Sequence, residues 1–315
     1  MPVLGIDVGG TKTVCVLADN DGRVIAEARE EGANLQGAGE LALEKVLHSV
    51  MEKTLESAGV VPSAICLGIA GVDRASDEAV VRGIMSRIGY KARILVVNDA
   101  LIALQAGVGD AAGIVIVSGT GSIAYGRNDR GEASRAGGWG YVLGDEGSGY
   151  WIGRLALRAV VRHADGRGRA TSLTPRLLGH FKVERASELI HKVYHDELSP
   201  RSIASAARYV QHARDDGDII ATGILNRAAD ELITAATAVM TRLELAEQPF
   251  TFVLAGGMFR AVPWLCNQML LLLPALAHQS TVKRLDDEPA LGAVRLAVAE
   301  LKGGARLPAY RSNLT

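Results

Sequence analysis

Apolar residues open the chain in short runs. Val3 to Val8 is apolar and β-branched, interrupted by one acid, Asp7. Thr13 to Ala18 follows a Gly-Gly turn, and Arg23 to Arg29 follows Asn20-Asp21-Gly22. Each run predicts a strand. From Glu40 to Ser57 the spacing changes: Leu43, Val46, Leu47, Val50, Met51 and Leu55 recur near the helical period, and Gly59 stops the helix. A strand (Ala64 to Ala70), a helix (Asp77 to Ile88), a strand (Arg93 to Val97) and a helix opening after Asn98-Asp99 follow. The pattern is βββαβαβα.

The pattern then repeats. Gly113 to Val117 reads as a strand, Ser118 to Gly121 as a glycine turn and Ile123 to Gly126 as a strand. At an offset of 109, Gly10 falls on Gly119, Thr11 on Thr120, Thr13 on Ser122, Val14 on Ile123 and Gly22 on Gly131. Further on, Ile65 to Gly71 resembles Phe252 to Gly257 at an offset near 186, and Asn98-Asp99-Ala100-Leu101 is loosely matched by Asp287 to Leu291. The offset grows by 77, from 109 to 186, so the second half carries about that many extra residues. They fall within about Glu146 to Glu247, a helix-rich stretch where Asp218 to Leu245 reads as one long helix. Internal repetition decides the fold class. The chain reads as two copies of one α/β unit, with a helical insert in the second. Two such lobes leave a cleft, where ligands gather.

Composition narrows the field. Glycine supplies 36 of 315 residues and proline 9, with no Gly-X-Y period, so collagen-like and low-complexity readings fail. A formal net charge of −1 offers no field shaped for a nucleic acid. Cys15, Cys66 and Cys266 are far apart and odd in number, which suits a reducing compartment. The N-terminus lacks a basic region before its first strand, so no leader is expected. Met269 to Ala277 is the most apolar stretch, but it is short and contains Pro274; it reads as a buried helix rather than a membrane span. A cytoplasmic protein is the expectation.

The candidate chemistry sits in the turns. Gly9-Gly10-Thr11-Lys12-Thr13 and Ser118-Gly119-Thr120-Gly121-Ser122 occupy equivalent hairpin turns. Backbone N–H groups in such turns cradle anions, and hydroxyls add donors. Hairpin turns that need glycine for backbone reasons are the plain alternative, weakened by hydroxyls recurring at matched places. The first loop lacks a P-loop lysine, since Thr11 follows the second glycine, and no GxGxxG follows a strand. Lys12 is compatible with simple solvation. Asp7 in an apolar strand calls for a metal ion, its water shell or an ion pair. Asp99 opens a helix after a strand, as an N-cap or as a base. Gly137 to Gly149 packs six glycines around Asp145 and Glu146. Such density fits a loop pressed on a ligand, with Asp145 accepting paired hydroxyls; a surface loop with acids near a helix start is the bland reading. Asn34 alone reads as a turn residue.

Together GIDVGGTKT, the NDA at Asn98, SGTGS, GGWGYVLGDEGSGYWIG and LAGGMF resemble the BadF/BadG/BcrA/BcrD-type ATPases from Gly5 to about Arg295. Within them they are most similar to N-acetylglucosamine kinases of the sugar kinase–heat-shock chaperone–actin superfamily. The resemblance implies a duplicated ribonuclease H-like (actin-like ATPase) α/β fold with two lobes, an interlobe cleft and a helical insert at about 147–247. The lobes would be 1–111, joined by the C-terminal helix 289–302, and 112–288. It implies ATP- and Mg2+-dependent phosphorylation of an amino-sugar hydroxyl. Asp99 would be the base, and Asp7 would hold magnesium through water. Gly9, Gly10, Thr11, Lys12, Thr13, Gly119 and Thr120 would border the phosphates, with Gly256 and Gly257 against the adenosine. Asn34, Gly71, Asn98, Asp99, Ser118, Gly137, Gly138 and Asp145 would line the sugar pocket.

Two departures touch the sugar end. Ala136 stands where the animal amino-sugar kinases have cysteine, and Asn34-Leu35-Gln36-Gly37 lacks their nearby tryptophan. The 6-hydroxyl of N-acetylglucosamine or glucosamine is the expected acceptor, with N-acetylmuramic acid of cell-wall recycling as the alternative. A dehydratase-activating ATPase with a shared iron–sulfur cluster needs clustered thiolates, whereas Cys15 and Cys66 lie inside predicted strands. The zinc motif of the ROK kinases is absent, and a first strand at Val3 leaves no room for an N-terminal DNA-binding module. A homodimer is compatible with the sequence; nucleic acid and membrane are not expected partners.

Overall fold

A computed structural model describes residues 1–33, 39–56, 58–72, 74–195 and 198–310. The first half runs β1 (Val3–Val8), β2 (Lys12–Ala18), β3 (Val24–Glu31), α1 (Glu40–Glu56), β4 (Ala64–Ile69), α2 (Ala75–Ile88), β5 (Arg93–Asn98) and α3 (Asp99–Val108). The second runs β6 (Gly113–Ser118), β7 (Ser122–Arg127), β8 (Glu132–Gly137), then helices α4 (Gly149–Ala164), α5 (Leu173–Phe181), α6 (Glu188–Tyr194), α7 (Pro200–Ala204), α8 (Ala207–Asp215) and α9 (Ile219–Arg242). It closes with β9 (Phe250–Ala255), α10 (Met258–Ala261), α11 (Pro263–Leu272), β10 (Ser280–Arg284), α12 (Ala290–Leu301) and β11 (Ala309–Tyr310).

The strands form two mixed sheets, ordered β3-β2-β1-β4-β5 and β10-β9-β6-β7-β8-β11. Read from the other edge, the second is β8-β7-β6-β9-β10, the order of the first, with β11 added outside β8. Pairing senses also match: β1–β2 and β6–β7 are antiparallel, β1–β4 and β6–β9 parallel. Registers agree with the repeat. Val3 faces Ala64, 61 positions on, and Gly113 faces Thr251, 138 positions on; the spacings differ by 77, the growth between the two sequence offsets. The hairpin turns differ by one residue. The first closes on Val8 and Thr13, the second on Ser118 and Ser122.

Three apolar cores stack the layers. One packs α1 and α2 (Leu43, Leu47, Met51, Ile84, Met85) on the outer face of the first sheet. One lies between the sheets, where α3 and α12 (Ile102, Leu104, Ala293, Val294) meet both. The third packs the α4–α9 helices and α11 on the second sheet. Helix α12 presses closely on both neighbours: a Cβ on Gly292 would sit 1.9 Å from the Ile102 carbonyl oxygen of α3, and one on Gly5 of β1 would sit 2.4 Å from the Val294 nitrogen. Helix α3 is gripped at its far end. Arg127 donates to the Gln105 side chain (2.7 Å), and Arg295 to the Gln105 and Ala106 carbonyls (2.8 and 2.9 Å). Its opposite end carries Asp99.

One sequence expectation changes. The apolar stretch from Met269 does not form a buried helix. Helix α11 ends at Leu272, and a 3-10 turn, Leu273–Leu276, carries Pro274, which cannot donate the next helical hydrogen bond. Leu265, Cys266 and Met269 face the core, but Leu271 is 67% exposed. Among the described residues no helix is long and apolar enough to cross a membrane.

Candidate functional site

Parallel strands β1, β4 and β5 end together, since Val8 pairs with Ile69 and Ile69 with Asn98. Ligands of open α/β sheets gather at such carboxyl edges. Three predicted elements meet there: the Gly9–Thr13 loop, the turn at Gly71 and the Asn98-Asp99 junction. Ala70 donates to the Val8 carbonyl (3.0 Å), which ties the Gly71 turn to the loop strand. In the second sheet Val117 pairs with Ala255, so the Gly119 loop and the Gly256 turn also share an edge.

The two hairpin loops touch. The Thr11 and Thr120 hydroxyl oxygens lie 3.1 Å apart in a hydrogen bond that joins the halves of the chain. Loop one closes by Gly9 N–H to Lys12 carbonyl (3.0 Å), loop two by Gly119 N–H to Gly121 carbonyl (2.9 Å). Helix α4 then anchors loop two. Its first N–H groups, of Gly149 and Tyr150, donate to the Gly119 and Thr120 carbonyls (2.8 and 3.3 Å), while Ser148 caps the helix by accepting from Trp151 N–H. Gly256, at φ 105°, packs on the same strand end: a Cβ there would lie 2.3 Å from the Ser118 carbonyl oxygen. Around Gly257 the space is open, with nothing within 4 Å of a built Cβ.

Asp7 is 8% exposed on β1, beside loop one. Burial drives its carboxyl up to about 7, and the charges of Asp99 and Glu288 add to the rise while Lys12 opposes it. Asp7 and Asp99 therefore share one electrostatic neighbourhood. The helix cap falls to Asn98, whose Oδ1 accepts from Ala100 N–H (2.8 Å). Asp99 is the first helical residue, so the N-cap explanation for it does not apply.

The acidic glycine loop folds onto the second hairpin. Ser118 donates to the Gly147 carbonyl (2.9 Å) and Ser122 to the Glu146 carbonyl (2.7 Å). Asp145 adopts φ 57° and is 8% exposed. Its Oδ1 accepts from Gly140 N–H (3.2 Å). Burial pushes the carboxyl up to about 6, against the pull of the Gly140 and Ser122 N–H groups. A Cβ on Gly121 would sit 2.6 Å from Asp145 Oδ2. Gly137 and Gly138 both take positive φ where β8 turns into this loop, and Gly138 N–H donates to the Ser122 carbonyl (3.0 Å). Trp139 is exposed, with the Arg135 guanidinium 4.8 Å over its ring.

Two predicted residues turn inward. Thr13 is fully buried and donates to the Glu31 carbonyl (3.0 Å), tying the hairpin to β3; Ser118 is fully buried as well. Asn34 lies outside the described residues. Two neighbours of the first loop were not among the expected site residues. Gly32 passes so close to loop one that a Cβ would lie 2.4 Å from Gly10 and Thr11 backbone atoms. Glu288 accepts from Lys12 Nζ (2.5 Å), which is therefore not simply solvated.

Among the described residues no group of three or more His, Cys, Asp or Glu side chains could enclose a metal. Cys15 and Cys66 are buried in cores on opposite faces of the first sheet, so they do not meet at one cluster. Burial raises the Cys15 thiol to about 12, which makes it inert.

Known proteins resemble the chain over nearly all its length. Residues 4–297 match the BadF/BadG/BcrA/BcrD ATPase family. An N-acetylmuramic acid/N-acetylglucosamine kinase from Clostridium acetobutylicum is 35% identical, covering 95% of this chain and 98% of its own. An N-acetyl-D-glucosamine kinase from Dictyostelium discoideum is 32% identical at the same coverage. Among solved structures, a protein from Chromobacterium violaceum proposed to be an N-acetylglucosamine kinase superposes with a TM-score of 0.77 at 25% identity, covering 93% of this chain and 97% of that one. A ROK hexokinase from Thermus thermophilus shares the fold at a TM-score of 0.61 and 18% identity, covering 96% of this chain and all of its own. Two lobes of one sheet order, their loops joined at Thr11 and Thr120, are thus the actin-like architecture of sugar kinases, and the chain belongs to the BadF/BadG/BcrA/BcrD ATPase family.

Proposed function

We propose that this protein is an ATP-dependent amino-sugar kinase that transfers the γ-phosphoryl group to the 6-hydroxyl of N-acetylglucosamine or glucosamine. The observation that carries the reading is the Thr11–Thr120 contact, which brings two glycine loops together at strand ends. Both full-length relatives are named as kinases of N-acetylglucosamine.

In this reading Gly9, Gly10, Thr11, Lys12, Gly119 and Thr120 border the phosphates, and Gly256 and Gly257 flank the adenosine. Thr13 supports the first loop from inside. Asn98 fixes the start of α3, and Asp99 accepts the proton of the attacking hydroxyl. Gly71, Gly137, Gly138 and Asp145 surround the sugar, with Asp145 accepting its hydroxyls, while Ser118 braces the second loop from inside. The site fits Mg2+: a dication held by one or two carboxylates plus phosphates and water needs no protein cage, and Asp7 supplies a buried acid beside the loop. When bound, Mg2+ neutralises charge on the phosphate oxygens. Lobe one is 1–111 with helix 289–302, lobe two 112–288, and their closure would exclude water.

N-acetylmuramic acid is the second reading, because the Clostridium relative is named for both sugars. The test is the product formed from ATP and each sugar, analysed by mass and by phosphorus–proton NMR correlation. A phosphate ester at carbon 6 of N-acetylglucosamine supports the proposal. Phosphate at another position, or on N-acetylmuramic acid alone, refutes the named acceptor.

A further inference from the structure

Lys12 stands on the first loop with its ammonium fixed from the far end of the chain. Glu288 lies between β10 and α12, in the connector that the sequence repeat sets against Asn98-Asp99. Its Oε2 accepts from Lys12 Nζ at 2.5 Å, and its Oε1 faces Arg29 Nη2 of β3 at 3.1 Å. Arg29 also pairs with Glu27 (2.6 Å). Burial alone would raise the Glu288 carboxyl; Lys12 first, then Arg29 and Arg260, more than reverse this and hold it low.

The arrangement has a use for a phosphate site. A lysine side chain is long and flexible, and immobilising it costs rotamer entropy. An ammonium has three donors, so one bond to Glu288 leaves two for other oxygens. A lysine held in place before the nucleotide arrives spares the nucleotide that ordering cost. Glu288 is only a quarter exposed and is braced on its other oxygen, unlike an isolated surface pair, which contributes little.

We propose that Glu288 is a positioning residue for the nucleotide: it anchors Lys12 across the chain so that the ammonium meets the phosphates at the mouth of the Gly9–Thr13 loop. The inference rests on the nucleotide reading of that loop. The test compares wild type, Glu288→Gln, Lys12→Met and the double variant. Each is measured by displacement of a fluorescent ATP analogue, by steady-state KM for ATP and for sugar, and by urea midpoint. Glu288→Gln is expected to weaken nucleotide binding about five- to tenfold, a part of the lysine's ordering cost, with sugar KM and urea midpoint unchanged. Lys12→Met weakens it at least as much, and the double variant matches Lys12→Met. Nucleotide affinity in Glu288→Gln equal to wild type, or effects of the two changes that multiply, would overturn the proposal while leaving the kinase reading intact. A wild-type protein that binds no nucleotide would overturn both.

Discussion

Asp145 gives a prediction in which stability and substrate binding pull in opposite directions. Replacing it with asparagine keeps the shape, keeps an oxygen for the Gly140 N–H and suits the left-handed backbone at φ 57°. What it removes is a buried charge. The carboxyl titrates near 3.8 when unfolded and is pushed to about 6 by burial in the fold. Between those values the native state binds more protons than the unfolded state, so stability falls as pH rises through the window. Two units at 1.36 kcal/mol each put the full penalty at about 3 kcal/mol above pH ~7. About 1 kcal/mol of it is already present at pH ~4.5, so about 2 kcal/mol appears between pH ~4.5 and ~8. Urea unfolding of wild type and Asp145→Asn at those two pH values reads this directly. The variant should gain about 2 kcal/mol relative to wild type on going to the higher pH, while its sugar KM rises and its ATP KM holds. A stability difference that is the same at both pH values would refute the burial argument.

Other perturbations probe the frame and the chemistry. Gly292→Ala forces a methyl to 1.9 Å from the Ile102 carbonyl oxygen; it should cost at least ~3 kcal/mol in urea unfolding. Gly223→Ala, in an exposed helical position with open space, should instead add about 1 kcal/mol. Asp99→Asn should lower kcat by roughly 10²–10⁴ with sugar affinity retained by calorimetry, and full activity would remove Asp99 as the base. Gly121→Ala places a methyl 2.6 Å from Asp145 Oδ2; its sugar KM should rise more than its ATP KM, and equal KM values to wild type would detach Asp145 from the sugar.

Much of this architecture was written in local sequence. The offset of 109 between Gly10-Thr11 and Gly119-Thr120 becomes a matched pair of hairpins, and the wider offset of 186 becomes the register of β9 against β6. Strand and helix starts follow period and punctuation, as at Val3, Glu40 and Ala64. Asn98-Asp99 marked the right junction, though only coordinates assign the cap to Asn98. Three-dimensional neighbours were not legible. Glu288 reaches Lys12 across 276 positions, and Gly32 presses on loop one with no local pattern to announce it. Side-chain direction was equally hidden. Thr13 and Ser118 look like phosphate-loop hydroxyls in sequence, yet both donate to carbonyls inside the fold. The apolar run at Leu270 to Leu272 shows the same limit, because hydrophobicity alone does not say which face meets a core.

The central claim is phosphoryl transfer from ATP to an amino sugar, and coupled ADP release tests it most directly. The purified chain with Mg2+-ATP is screened against glucosamine, N-acetylglucosamine, N-acetylmuramic acid, N-acetylmannosamine and glucose, each with and without a chelator. The account predicts ADP release with N-acetylglucosamine or glucosamine above the sugar-free rate, lost on chelation and lost in Asp99→Asn. No ADP release above background with any of the five sugars would contradict it.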